Sequence, residues 1–418
     1  MNRIYLGLER IRELLNKLGN PEKQLSPVFH IAGTNGKGSV SAFLKYILED
    51  RGYRIHRNTS PHLVRFNERI EIGGKEIEDD YYRELADECK YTMEKNSLDA
   101  SYFEIVVAIA IMAFARNESD ATIIEVGMGG RLDATNVLEN PLVSIVTPIS
   151  LDHIESLGNT VEKIALEKIG IAKENRPVII SEQPESVVRV MEEKLVPLGC
   201  PSYVARRDWN CKKFDGFCEF EGFGKKIKMP LPALEGNHQV TNAGTAVAAL
   251  LCQDRIAVDE SNISEGLRKV SWRARLQNLA GTRLHDYVGK DSELYLDSGH
   301  NEGCARVLKD WLEDRDGVEK RDNILIICML KRKNTRAFIE VIGKLFSTRI
   351  VVSNDNEIYK EAKEFVEEFN DLGLGVQGTC DNAEDALKIA GTLRAERKKR
   401  ILMCGSLYFC GEVLALVE

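Results

Sequence analysis

No apolar run in this 418-residue chain comes near the roughly 20 residues that a membrane-spanning helix needs. That excludes a helical membrane protein. The opening Met1-Asn2-Arg3-Ile4-Tyr5-Leu6-Gly7-Leu8-Glu9-Arg10-Ile11-Arg12 is amphipathic and charged, and it lacks the uninterrupted apolar core of a signal peptide. Cysteine pairs at metal-binding spacing are also missing. The 10 cysteines are scattered without a CxxC, too loosely for a zinc ribbon or a secreted disulfide scaffold. Reduced thiols in a cytoplasmic protein are expected. A surplus of basic charge is lacking as well, because 57 basic against 65 acidic side chains leave a net charge of −8. A mildly acidic chain is a poor general nucleic-acid binder, although a local basic cleft can still hold phosphates. Repeats and low-complexity tracts are absent. What remains is 43% hydrophobic and 29% charged, a globular balance in a chain long enough for two domains.

Apolar, strand-like runs alternate with helix-length amphipathic stretches. The runs are 28–32, 121–126, 142–147 and 177–180, then 294–296, 324–329, 349–352 and 400–404. The helical stretches include 39–50, 105–115 and 161–174, with 242–253 and 263–270 further on. Continuous apolar runs joined by helices predict buried parallel strands, hence an α/β protein. Residues 200–230 are polar, glycine-bearing and loosely alternating, and predict a small antiparallel subsheet. A domain boundary is expected between Leu279 and Asp286, giving domains 1–280 and 281–418. Cys404 and Cys410 flank what reads as another apolar strand-like run.

The strongest local signal is Gly33-Thr34-Asn35-Gly36-Lys37-Gly38-Ser39, which follows one apolar strand and opens an amphipathic helix. Glycines let backbone N–H groups turn toward phosphate oxygens, and the helix N-terminus adds partial positive charge. Lys37 would neutralise terminal phosphates, and Ser39 would bind the accompanying Mg²⁺. The segment departs from G-x-x-x-x-G-K-[ST] because Gly38 separates Lys37 from Ser39. Read alone, it is also a plain glycine-rich turn. Glu125 ends a strand, where open α/β sheets collect their ligands. It can hold a metal that bridges phosphates, or be a solvated strand end. His153, in Pro148-Ile149-Ser150-Leu151-Asp152-His153, reads as a metal ligand, a phosphate contact or a structural histidine. Lys168 shares a helix face with Val161, Ile164, Ala165 and Ala172. Such a lysine ordinarily snorkels to water. One that cannot reach water tends toward its neutral amine, which carbon dioxide converts to an anionic carbamate suited to a second Mg²⁺. Asn237, Arg275, Asp297 and His300 sit in short polar clusters beside apolar segments, and each is weak by itself.

Taken together, these pieces resemble the folylpolyglutamate synthase and dihydrofolate synthase family, within the wider Mur ligase group. The resemblance rests on GTNGKGS, on Ser60-Pro61-His62-Leu63, and on EVGMGGRLDATN, LDHIESLGNT, EKIGIAK and NHQ in this order. It extends to Gly405-Ser406-Leu407-Tyr408-Phe409-Cys410-Gly411-Glu412, nearly the whole chain. It implies an N-terminal P-loop ATPase-type domain, with a mostly parallel sheet, helices on both faces and a small antiparallel subsheet. A smaller α/β C-terminal domain would follow, with the active site in the cleft between the two. The implied reaction uses ATP to phosphorylate a substrate carboxylate; an amino acid amine then attacks the acyl phosphate, giving an amide, ADP and phosphate.

By the same resemblance, the phosphate loop is Gly33, Thr34, Asn35, Gly36, Lys37, Gly38 and Ser39. The magnesium ligands fall on Ser60, Glu125 and His153 beside Ser39, and the carbamylated lysine on Lys168. Nucleotide contacts fall on Asn237, Arg275, Asp297 and His300, and Lys37, Lys168 and His153 carry the chemistry. ATP and two Mg²⁺ ions are the implied cofactors. A folate or dihydropteroate and L-glutamate are the partners, and a monomer is expected. Three places depart from the family pattern: Asp297-Ser298-Gly299-His300-Asn301 replaces Asp-Gly-Ala-His-Asn, Ala274 precedes Arg275 where Pro-Gly is common, and Lys331-Arg332-Lys333-Asn334 replaces an acidic Asp-Lys-Asp type loop. Two alternatives stay open at this level: a ligase of the same architecture acting on another carboxylate, and a nucleotide-binding switch without ligase turnover.

Overall fold

The computed structural model describes residues 7–353 and 356–417. Residues 1–6 of the amphipathic opening lie outside the described residues; the helix Glu9–Lys17 follows them. The chain divides into two compact units. One comprises residues up to Ile149, His153–Ala233 and Gln239–Ser271; the other comprises Ser150–Asp152, Leu234–His238 and Trp272 onward.

The first unit is built on an eight-stranded sheet. Its strands are β1 (Val28–Ala32), β2 (Ile55–Asn58), β3 (Ile70–Ile72), β4 (Lys75–Glu76), β5 (Ala121–Glu125), β6 (Val143–Val146), β7 (Val178–Ile180) and β8 (Ser202–Val204). The order across the sheet is β4-β3-β2-β5-β1-β6-β7-β8. From β2 to β8 every neighbour is parallel, while β3 and β4 turn back antiparallel at one edge. Every residue of β1, β2, β5, β6 and β7 is buried, as expected when helices cover both faces of a parallel sheet. The helix Tyr102–Ala115 is apolar nearly all round and buries ten residues from Glu104 to Phe114. Within residues 200–230, β9 (Trp209–Lys213), β10 (Phe217–Gly222) and β11 (Lys225–Pro230) form the antiparallel subsheet. Ser202–Val204 instead extends the parallel sheet.

The helix expected over 161–174 stops at Ile169. Beyond it the backbone tightens into three-residue turns, with Ile171 N–H bonded to Lys168 O and Ala172 N–H to Ile169 O. Side chains from elsewhere take the terminal carbonyls: Asn136 Nδ2 donates to Gly170 O (3.1 Å) and Ser144 Oγ to Ile171 O (3.3 Å). Side-chain partners for the carbonyls just past Ile169 take the place of a further helical turn. Ala172 is therefore buried off the helix, while Ile164, Ala165 and Lys168 are buried on it.

The second unit has a six-stranded sheet, order β12-β13-β17-β14-β15-β16. Its strands are β12 (Gln277–Asn278), β13 (Glu293–Leu296), β14 (Asp322–Ile327), β15 (Thr348–Val352), β16 (Gly378–Cys380) and β17 (Lys399–Cys404). All pairs are parallel except β12 with β13. One core joins Tyr295, Trp311, Leu325, Phe338 and Phe365 beneath flanking helices. The run between Cys404 and Cys410 is not a strand. Gly405, at φ +116°, turns the chain, and Ser406 caps the helix Leu407–Ala415 by accepting Tyr408 N–H. No disulfide joins the cysteines, and no described helix is long and apolar enough to cross a membrane.

Candidate active site

Strand register brings the first unit's candidates to one edge. Asn58 pairs with Ile124, Ile31 with Glu125, and Ala32 with Val146. The carboxyl ends of β2, β5, β1 and β6 therefore lie side by side; Glu125 is the last residue of β5, and the segments after β2, β1 and β6 carry Ser60, residues 33–39 and Pro148. This carboxyl edge is where parallel sheets bind ligands.

Gly33 opens the loop at φ +149°, where a Cβ would lie 1.8 Å from Thr147 Oγ1. A side chain is excluded there by both backbone and neighbour. Thr34 and Asn35 donate their N–H groups to Pro148 O, both at 3.1 Å, which ties the loop to the segment after β6. Gln183, after β7, pins that segment from the other side, donating to Thr147 O (3.0 Å) and accepting Ile149 N–H (3.1 Å). The helix Lys37–Asp50 starts within the loop, so its unpaired N–H groups point to the edge. Gly38 and Ser39 are buried in its first turn.

Two ammonium groups meet on one carbonyl. Lys37 Nζ donates to Gly33 O (3.2 Å) and Thr34 O (3.4 Å), and Lys168 Nζ donates to Gly33 O at 2.8 Å. Glu125 Oε1 lies 3.8 Å from Lys37 Nζ. Glu125 and Lys168 are each only 5% exposed, so the snorkelling option for Lys168 is not taken. Gly130 explains how Lys168 is held: a Cβ there would sit 2.7 Å from Glu167 O and 2.8 Å from Lys168 O. The glycine-rich loop after β5 thus lies flush against the backbone that carries Lys168. Ser60 Oγ is buried without a hydrogen-bond partner. His153 caps the short helix Ile154–Leu157 at φ +49°, and its carbonyl accepts Ser156 and Leu157 N–H. The distances thus tie Lys37, Glu125 and Lys168 to the loop, while Ser60 and His153 are placed by their own segments. Among the described residues, no three carboxylate, histidine or cysteine side chains form a metal cage by themselves.

In the second unit, Asp297 ends the β13 segment and is 7% exposed. Its Oδ2 accepts Leu276 N–H (2.8 Å) and its Oδ1 accepts Gly299 N–H (2.7 Å). Burial pushes its carboxyl above the usual range, against the pull of Arg275, those N–H donors and His300. Arg275 donates to Ala274 O (2.9 Å) and to Ser298 Oγ. The residues on either side of it, Ala274 and Leu276, hold left-handed φ of +55° and +42°. Ala274 stands where the family pattern has glycine, the residue that takes this conformation without strain. Asp297 and Gln277 Oε1, which accept Leu276 and Ala274 N–H, hold the turn in place.

His300 Nδ1 donates to Ser298 O (2.9 Å), and its Nε2 lies 3.4 Å from Asp152 Oδ2. Asp152 also receives Lys333 Nζ at 2.6 Å. Burial pulls the Lys333 ammonium down while Asp152 holds it up. Asn237 Nδ2 donates to Asp314 Oδ2 at 2.5 Å. Gln183, Asp152 and Lys333 were not site candidates in the sequence. Gln183 has no local signal, whereas Asp152 lies in a quoted motif and Lys333 in a departing one.

Residues 31–250 match the model of the Mur ligase middle domain, and residues 281–416 match that of the dihydrofolate synthetase C-terminal domain. The dihydrofolate synthetase of Saccharomyces cerevisiae is 31% identical over 99% of this chain and 98% of its own length. Escherichia coli FolC in complex with ADP, without folate substrate, superposes with a TM-score of 0.86 at 29% identity, over 100% of this chain and 95% of that one. A bifunctional folylpolyglutamate synthase/dihydrofolate synthase with Mn, AMPPNP and L-glutamate bound gives a TM-score of 0.85 at 25% identity, over 99% and 95%.

Proposed function

Because this chain belongs to the Mur ligase family, on its dihydrofolate synthase and folylpolyglutamate synthase branch, we propose that it joins L-glutamate to dihydropteroate. The chain is an ATP-dependent ligase that forms a carbon–nitrogen bond between glutamate and a folate-type carboxylate. The match of residues 281–416 to the dihydrofolate synthetase C-terminal domain supports dihydropteroate as the acceptor.

The observation that carries the site is the gathering of Lys37, Glu125 and Lys168 on the loop of residues 33–39. A carboxylate attacking a phosphoryl group brings anions together, so cations must offset the repulsion. The backbone N–H groups of residues 33–39 and the start of the helix Lys37–Asp50 take the phosphates. Lys37 neutralises the terminal phosphate. Oxygen and imidazole donors from Ser39, Ser60, Glu125 and His153 suit Mg²⁺ or Mn²⁺, and the orphaned Ser60 Oγ fits such a ligand. When bound, the metal offsets the charge of the phosphates and of the acid group. Lys168, as a carbamate, adds an anion on the metal side. Asn237, Arg275, Asp297 and His300 remain the proposed nucleotide contacts carried over from the family pattern. The functional division runs 1–280 for nucleotide binding and 281–418 for the ligase domain.

Phosphate release from purified protein with Mg²⁺-ATP and glutamate tests the reading, with dihydropteroate, tetrahydrofolate or no acceptor supplied separately. Release that requires both dihydropteroate and glutamate is expected. Release only with tetrahydrofolate changes the acceptor, and acceptor-independent hydrolysis refutes the ligase reading.

A further inference from the structure

His30 lies on β1 with all its neighbours buried and is itself 0% exposed. Its Nε2 is 3.0 Å from Thr135 Oγ1, and its Nδ1 has no hydrogen-bond partner. Thr135 Oγ1 directs its only proton to Asp133 Oδ1 at 2.6 Å, so it must accept at the histidine contact, and the imidazole donates through Nε2–H. Asp133 in turn accepts Thr135 N–H (3.0 Å) and Met128 N–H (2.9 Å). The next residue, Asn136, donates to Arg131 O (2.9 Å) and to Gly170 O. A single buried relay thus runs from β1 to the loop that follows Glu125. That loop rests through Gly130 on the backbone of Lys168.

A hydrocarbon side chain fills such a space without an unsatisfied nitrogen, which costs about 1–3 kcal/mol when buried. What the imidazole adds is one directed N–H. We propose that His30 is a positioning residue that acts through Thr135 and Asp133 to fix the 126–136 loop, and with it Glu125 and Lys168, in the geometry that binds the metal–nucleotide complex. Burial, with Lys173 nearby, lowers the histidine's pKa to about 3, so the imidazole stays neutral at working pH. The inference rests on the ligase reading for its metal and nucleotide, yet its readouts do not depend on turnover.

Two variants break the relay from opposite ends, His30→Leu and Thr135→Val; His30→Gln restores an N–H at the position of Nε2. Hydrogen exchange is followed over 126–136, and Mn²⁺ binding in the presence of ADP is titrated by electron paramagnetic resonance. In both breaking variants, exchange over 126–136 is expected to speed up while β6 keeps its protection. Mn²⁺ binding with ADP weakens about tenfold or more in them, and His30→Gln stays within about threefold of wild type. Wild-type exchange and Mn²⁺ affinity in either breaking variant overturn the proposal, as does a Gln variant no better than the Leu variant. If His30→Leu does not fold, Thr135→Val decides. A wild-type protein that binds Mn²⁺ and ADP but forms no amide refutes the ligase reading and leaves this one standing.

Discussion

Replacing Lys168 by methionine separates chemistry from folding. The ammonium donates a hydrogen bond to Gly33 O at 2.8 Å. A charged hydrogen bond of this kind contributes about 1.5–3 kcal/mol. Gly33 O is not orphaned by the change, because Lys37 Nζ remains on it at 3.2 Å. Against the loss stands the removal of a 5% exposed ammonium from the interior, whose desolvation costs several kcal/mol. Methionine has nearly the length and helix propensity of lysine, so it leaves little cavity at the end of the helix Val161–Ile169. The terms oppose each other, and the folding free energy should move by less than about 2 kcal/mol, a melting shift of a few degrees in a chain of this size. Turnover should fall by at least about 100-fold, the effect of removing one charge-stabilising group at a transition state. The assay is ADP release with dihydropteroate and glutamate, beside a thermal melt of the same preparation. As a companion test, wild-type activity should drop in carbon dioxide-free buffer and return with bicarbonate. A Lys168→Met variant that turns over like wild type ends the proposed role; one that unfolds shows that the balance of terms was misjudged.

Gly130→Ala places a methyl against Glu167 O and Lys168 O at under 3 Å, and overpacking of this kind costs about 1–3 kcal/mol. The expected result is a lowered melting temperature together with reduced ligation, read by denaturation and ADP release. Lys333→Met takes the 2.6 Å partner from Asp152, which is only 12% exposed and keeps His300 Nε2 at 3.4 Å. Breaking such a pair costs about 3 kcal/mol, and adding Asp152→Asn should recover part of it in a double-mutant cycle. His238 is half-buried beside Arg275, and desolvation lowers its pKa from 6.5 to about 4. A base depressed in the folded state contributes stability that is complete above pH 6.5 and is lost as pH falls toward 4. The loss amounts to roughly 3 kcal/mol across that window. Urea titrations at successive pH values should show this slope, and it should flatten in His238→Asn; an unchanged slope would place its source elsewhere.

Much of the fold was legible because buried parallel strands announce themselves. The run at 28–32 is apolar except for His30, and it became β1 at the expected bounds. The glycine-rich turn at 33–39 was legible for a related reason: glycine at Gly33 is demanded by its φ and by the touching Thr147. The end of the Lys168 helix was not, since it depends on Asn136 and Ser144, 34 and 27 residues away in the chain. Ala274 is a further case. In sequence it is an ordinary alanine where relatives have glycine, and only the contacts of Asp297 and Gln277 show that it holds a left-handed turn.

The sequence by itself determined the class of the two sheets and the glycine-rich turn after β1, because periodicity and glycine placement act over a few neighbouring positions; the candidate residues came from the family resemblance. Tertiary structure alone decided that Lys168 and Lys37 share the carbonyl of Gly33, that Glu125 stands beside them, and that His30 reaches Asp133 through a threonine. Those pairings join residues up to 135 positions apart, and strand register, which no local pattern encodes, is what brings them together.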